Sequence, residues 1–187
     1  MDQRDRAVTP VISTILFVAI VVILATTVSV AVLGVAENLT EPAPIVSDTM
    51  GEFDAGNTQI VRITHVAGDS IEVENIEIIV RASGPDPNLP AENRLVNLPG
   101  DYTAFCGGGV LTARHVQGAD RLVQKGCAPN QVITDGDSNT WSSGRTIQFQ
   151  IRSGLANFSA GGGADELEVV IVHTESNAIL SEHVFRP

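Results

Sequence analysis

The chain has 187 residues, with 22 Asp and Glu against 11 Lys and Arg, for a formal net charge of −11. That balance argues against a nucleic-acid partner, because so few cations cannot neutralise a row of phosphates. A hydrophobic content of 43% argues equally against a disordered chain. Lys125 is the one lysine among the basic residues, and an acid-rich, lysine-poor composition suits a surface adapted to high salt. A moderately acidic secreted protein has the same balance.

The N-terminus carries the strongest pattern. Residues 1–6 read Met-Asp-Gln-Arg-Asp-Arg, and residues 7–36 then contain no charge. The 27 residues from 10 to 36 would span about 40 Å as a helix, more than the hydrocarbon core of a bilayer requires. Thr9 and Pro10 form a good helix start, with Thr as N-cap and Pro at the first helical position. Val and Ile dominate the stretch, which suits a membrane helix better than a soluble one. Gly34 and then Glu37-Asn38 mark its exit. Arg4 and Arg6 precede it, while Glu37 and Glu41 follow. The positive-inside rule places the N-terminus in the cytoplasm and the bulk of the chain outside.

Three readings fit this segment. It could be an uncleaved single-span anchor. It could be a secretory signal peptide cut after the small-x-small triplet Gly34-Val35-Ala36, although the apolar stretch is about twice a usual signal core. The third reading is a short charged leader cut on the cytoplasmic side, with the apolar helix kept on the mature protein.

The residues Asp5-Arg6-Ala7-Val8-Thr9-Pro10-Val11-Ile12 favour the third. They resemble the processing region of archaeal type IV pilins, especially those of halophilic archaea. The resemblance implies cleavage by a membrane prepilin peptidase between Arg6 and Ala7, and a helix ending near Leu33-Gly34. Bacterial relatives usually carry Glu at the fifth mature position; here that position would be Val11, and archaeal pilins commonly lack the Glu. Residues 63–71, followed by Ile76-Glu77-Ile78-Ile79-Val80, resemble the strand, turn and strand that come after the helix in the same family. The resemblance covers roughly residues 4–82. It implies a surface-filament subunit serving adhesion, with other pilin subunits (in a homo- or hetero-polymer), the peptidase and the membrane before assembly as partners. The main rival is a monomeric membrane-anchored protein whose outer domain binds a ligand. A minor pilin that caps or regulates other filaments has the same sequence features. Ala25 with Ser29, and Thr27 with Ala31, are small-xxx-small pairs that permit close helix approach.

The rest reads as an extracellular β domain. Residues 37–57 are polar and punctuated by Pro42, Pro44, Gly51 and Gly56, and read as a stalk or linker. Residues 59–65 alternate apolar and polar side chains. Residues 70–82 alternate too, with a break in parity at Asn75 that predicts a bulge. Residues 83–100 are rich in Pro, Asn and Gly and read as an exposed loop. Residues 146–153 point Ile147, Phe149 and Ile151 inward. Residues 166–173 are apolar on both faces, which predicts a central, doubly covered strand. Asn177 sits in a tight turn before a last strand over residues 178–185. The expected fold class is α+β: a long N-terminal hydrophobic helix, then an antiparallel β-sandwich-like domain over residues 58–187.

Cys106 and Cys127 are the two cysteines, 21 residues apart, and outside the cell they most simply form one disulfide. Asn38-Leu39-Thr40 and Asn157-Phe158-Ser159 are glycosylation acceptors by pattern. Nothing points to an enzyme, a metal or a cofactor. Asp135-Gly136-Asp137-Ser138-Asn139 starts like a calcium loop, but Thr140 stands where Gly is needed and Thr146 where Glu is needed. His65, His115, His173 and His183 have no ligand spacing, and the Gly161-Gly162-Gly163 turn precedes a strand with no Lys nearby. Glu72, Glu74 and Glu77 read as the solvated face of a strand.

Overall fold

A computed structural model describes residues 5–36, 43–106, 108–118, 121–127 and 139–187, with helix side chains described over residues 11–30. The chain divides into two compact units, Met1–Glu41 and Pro42–Pro187. The first contains one helix, α1, Asp5–Ala36. It begins a turn before Thr9 and Pro10, the expected start. Nothing in residues 5–8 opposes a helix, so the helical path continues back to the charged pair Asp5 and Arg6.

The second unit is built from antiparallel strands, as the alternating segments require. The first two are β1, Val46–Asp54, and β2, Ile60–Gly68. Next comes β3, Ile71–Glu72, then a single 3-10 turn at Val73–Asn75, then β4, Ile76–Ser83. The expected bulge at Asn75 is thus this 3-10 turn, which shifts the inward parity from Ile71 and Val73 to Ile76, Ile78 and Val80. The remaining strands are β5, Ala91–Leu95; β6, Asp101–Thr103; β7, Gly108–Val110; and β8, Val116–Gln117. They are followed by β9, Thr140–Trp141; β10, Thr146–Gln150; β11, Glu166–His173; and β12, Ile179–Phe185.

A three-stranded sheet has the order β1-β2-β10, and a five-stranded sheet the order β12-β11-β4-β5-β8. Two short ribbons, β3-β9 and β6-β7, complete the described strands. Val61, Ile63, Ile147 and Phe149 of the first sheet share one core with Ile78, Val80, Leu167, Val169 and Ile171 of the second. The two sheets therefore pack face to face in a sandwich-like arrangement. Trp141 is fully buried in that core.

Two expectations about loops are corrected. Residues 46–54, inside the expected stalk, form β1, which pairs along its length with β2. Residues 91–95, inside the expected exposed loop, form β5 between β4 and β8. Ala91, Asn93 and Leu95 of β5 point inward and are buried. β11 is central, between β12 and β4, as expected. Its cover is unequal. Leu167, Val169 and Ile171 face the core; on the other side Val170 is buried, while Glu168 pairs with Arg81. Asn177 adopts φ 55°, the left-handed geometry of the expected tight turn.

The sheets also meet at an edge, where β1 lies beside β12. There Thr49 Oγ1 lies 2.7 Å from Ser181 Oγ and 3.0 Å from His183 Nε2. The imidazole of His183 packs over the backbone of Gly51, where a Cβ would stand 2.6 Å from Nδ1. A glycine at position 51 thus lets the ring lie against the strand.

Candidate assembly helix and processing junction

Val11–Val30 is a 20-residue span with mean hydropathy 2.8, long and apolar enough to cross a membrane, and none of it is buried. At about 1.5 Å per residue it extends about 30 Å, the thickness of a bilayer core. Its large apolar side chains are bare on every side: Phe17 is 69% exposed, Ile15 64% and Val30 71%. A soluble helix would keep a polar face.

Four of the five polar side chains in this span are turned back onto the helix. The hydroxyls of Thr14, Thr26 and Thr27 donate to the carbonyls of Val11, Ile23 and Leu24 at 2.9, 2.8 and 2.9 Å. The Ser29 hydroxyl donates to the Ala25 carbonyl at 2.8 Å. These groups therefore need no water, as a helix in lipid or in a dry bundle requires. Ser29 and Ala25 are one of the two small-residue pairs; Ala31 of the other lies outside the described side chains.

The Arg6–Ala7 peptide lies inside α1, four residues before Pro10. Backbone helicity is described there; Arg4 and Asn38 lie outside the described residues.

In the β domain, Cys106 and Cys127 form a disulfide with a Cα–Cα distance of 5.2 Å. It ties the turn after β6 to the segment 121–127. Asn157 is exposed, and its Oδ1 accepts from the Ser159 backbone N–H at 3.0 Å and from the Ser159 hydroxyl at 2.7 Å, closing a local turn. Residues 135–138 of the calcium-loop-like segment lie outside the described residues. Among the described residues no group of three His, Cys, Asp or Glu side chains could hold a metal ion.

The histidines serve packing. His65 is fully buried, stacks edge-on against Trp141 at 5.0 Å and bonds the Asp69 carbonyl at 3.0 Å. The Thr112 backbone N–H donates to His115 Nδ1 at 3.0 Å. Burial holds the His115 imidazole below its ordinary pKa, with Asp101 opposing and Arg114 assisting. Burial also lowers the His183 pKa, against the pull of Asp48. The structural roles of His115 and His183 were not visible in their spacing, because their partners are distant strands and a turn backbone.

The chain thus joins a bare apolar helix, long enough to cross a membrane, to an antiparallel β domain. Residues 6–47 match the family described as archaeal type IV pilin, N-terminal. The match starts at Arg6 and ends inside β1. It does not extend to residues 63–80, the second stretch of resemblance. No curated protein matches the chain.

Proposed function

We propose that this chain is a structural subunit of an archaeal type IV pilus-like surface filament, with residues 1–6 removed and the helix from Ala7 onward retained as the polymer core. The observation that carries the proposal is the pilin N-terminal match over a helix whose 20-residue apolar span is wholly uncovered. Such a span must be sheltered either by lipid or by other helices. Removing apolar surface from water stabilises by about 25 cal/mol per Å². Because the waiting subunit already sits in lipid, the step from membrane to filament must instead gain from close helix packing.

In this reading a prepilin peptidase cuts between Arg6 and Ala7, and the partners are other pilin subunits. Before assembly the chain spans the membrane once with its N-terminus inside, as Arg4 and Arg6 favour. The β domain is displayed outside, where the disulfide persists, and it serves adhesion or surface attachment. The carboxylate-rich exterior suits a salty medium, and Asn38 and Asn157 are the glycan acceptors. The family's role is structural, and no residue here is assigned catalysis.

The alternative of a solitary membrane-anchored binding protein is separated by sedimentation of sheared cell-surface material. The filament reading expects the chain in long fibres. In the Arg6→Ala variant it expects an unprocessed precursor that stays in the membrane fraction and is absent from fibres. Fibres made normally by that variant would count against the cleavage site.

A further inference from the structure

The cations of the β domain are not evenly used. Arg81, Arg94, Arg114 and Arg186 each pair with a carboxylate: Arg81 with Glu92 and Glu168, Arg94 with Glu77, Arg114 with Asp101, and Arg186 with Glu166. Arg121, Lys125 and Arg152 form no such pair among the described residues. Instead the three converge, with Gln124 and Val123, on one open groove of about 330 Å³. That volume is in the range of small-ligand sites. In a chain with twice as many acids as bases, three unpaired cations around one groove are an unexpected concentration of positive charge.

The groove is also held rigidly. Residues 121–127 are largely irregular, yet fixed at nearly every step. The Asn93 side chain, 1% exposed, accepts the Leu122 and Val123 N–H groups at 2.8 and 3.1 Å. Gln124 N–H donates to the Gln150 carbonyl at 2.9 Å, and Gly126 N–H to that of Leu111 at 2.9 Å. Arg152 N–H donates to the Leu122 carbonyl at 2.7 Å, and Cys127 closes the segment through the disulfide. A buried asparagine committed to an exposed basic segment fixes the backbone that carries these cations, which lowers the part of the entropic cost of binding that ordering the chain would add.

We propose that this groove binds an acidic polysaccharide, with Arg121, Lys125 and Arg152 engaging its carboxylate or sulfate groups and Gln124 its hydroxyls. Planar guanidinium groups take such anions two-pronged. The lining is polar apart from Val123 and contains no aromatic side chain, which suits a sugar acid better than the aromatic-rich core of a protein interface. The proposal goes beyond filament assembly and does not depend on it.

The test uses the full chain in detergent, with polygalacturonate as the uronate probe, dextran sulfate as the sulfate probe and neutral dextran as control. Arg121, Lys125 and Arg152 are exposed, so R121Q/K125Q/R152Q is expected to fold, which its melting temperature checks. Binding of at least one acidic probe, none of dextran, and a loss of at least ~30-fold in the triple variant are expected, since charged hydrogen bonds are strong. Wild-type chain that binds neither acidic probe, or a triple variant within twofold of wild type, overturns the proposal. A triple variant altered only in self-association also overturns it, by giving the groove to a second copy of the chain.

A second inference rests on the cleavage reading above and concerns Pro10. Since α1 starts at Asp5, the Arg6–Ala7 peptide is helical before cleavage, and a helical peptide must open locally to be cut. The N–H that would close on the Arg6 carbonyl belongs to residue 10, and proline has none. We infer that Pro10 is a positioning residue for processing: it leaves the scissile carbonyl without its helical hydrogen bond. After the cut, residues 7–10 become the first four of the helix, whose N–H groups have no intrahelical partner in any case. The same proline therefore weakens the precursor helix at the junction and leaves the mature helix intact.

Intact masses of full-length precursor in host membranes, followed over time, test this inference. Wild type is expected to begin at Ala7, P10A to be cut at least ~10-fold more slowly, and N-methylalanine at position 10, introduced by semisynthesis, to restore the rate. Wild type starting at Ala7 with P10A cut equally fast overturns this inference alone. So does failure of the N-methyl residue to rescue a slow P10A. A wild-type product starting elsewhere overturns the cleavage reading beneath it.

Discussion

Asn93 shows how one buried amide can hold two elements together. It sits on β5 facing inward and takes up two backbone donors of the segment 121–127, while its Nδ2 donates to the Gln117 carbonyl at 3.1 Å. Asn93→Ala strands those donors, and a buried unsatisfied group costs about 1–3 kcal/mol. Chemical denaturation of the two forms is expected to show a loss of that size. The histidines make the domain sensitive to acid. His115 and His183 both sit below the ordinary value of 6.5 because burial disfavours their charged form. The unfolded chain therefore takes up protons near pH 6.5 while the folded one resists. The neutral-form contribution is complete above that pH and declines as pH falls through the window beneath it. Urea midpoints at pH 7.5 and 5.0 are expected to differ, the lower pH being less stable, with a smaller difference in His183→Gln. An equal pH dependence in that variant would remove His183 from the account.

Elements were legible where burial writes a period into the sequence. The apolar helix, β10 and β11 show it directly: Ile147, Phe149 and Ile151 alternate with Gln148 and Gln150, and each of the three is fully buried. β1 was hidden because it is an edge strand, with only Val46, Phe53 and small residues turned inward, so VSDTMGEFD reads as polar linker. Phe53 is the exception, packed edge-on against Phe158 at 5.1 Å and against Phe185 at 5.7 Å. β5 was hidden because one of its three inward residues is Asn93, placed just after Pro90, so its alternation lacks an apolar signature. Pairing between distant segments leaves no local trace, so the groove that joins residues 121–125 to Arg152 could not be read at all. The disulfide could, from cysteine count and expected compartment. Its loop spans 21 residues, and closing such a loop is worth about 3 kcal/mol in the chain-entropy model. Cys106→Ser with Cys127→Ser is expected to lower the unfolding free energy by about that much and to expose the 121–127 segment to protease. Unchanged stability would mean that the hydrogen bonds alone hold it.

At the scale of the whole molecule, two units answer two different solvents. The β domain closes its own core and turns its carboxylates to water, with surface ion pairs that individually contribute little. The helix closes nothing by itself: from Val11 to Val30 it is apolar and uncovered, and four of its five hydroxyls bond back to its own carbonyls. A chain built this way is incomplete as a single molecule in water. The measurement that tests this most directly is the N-terminal residue of the protein recovered from sheared surface fibres. The account predicts Ala7 as the first residue, with the apolar helix still attached. Fibre material beginning at Met1 or Glu37, or mature protein found only as single molecules, would contradict it.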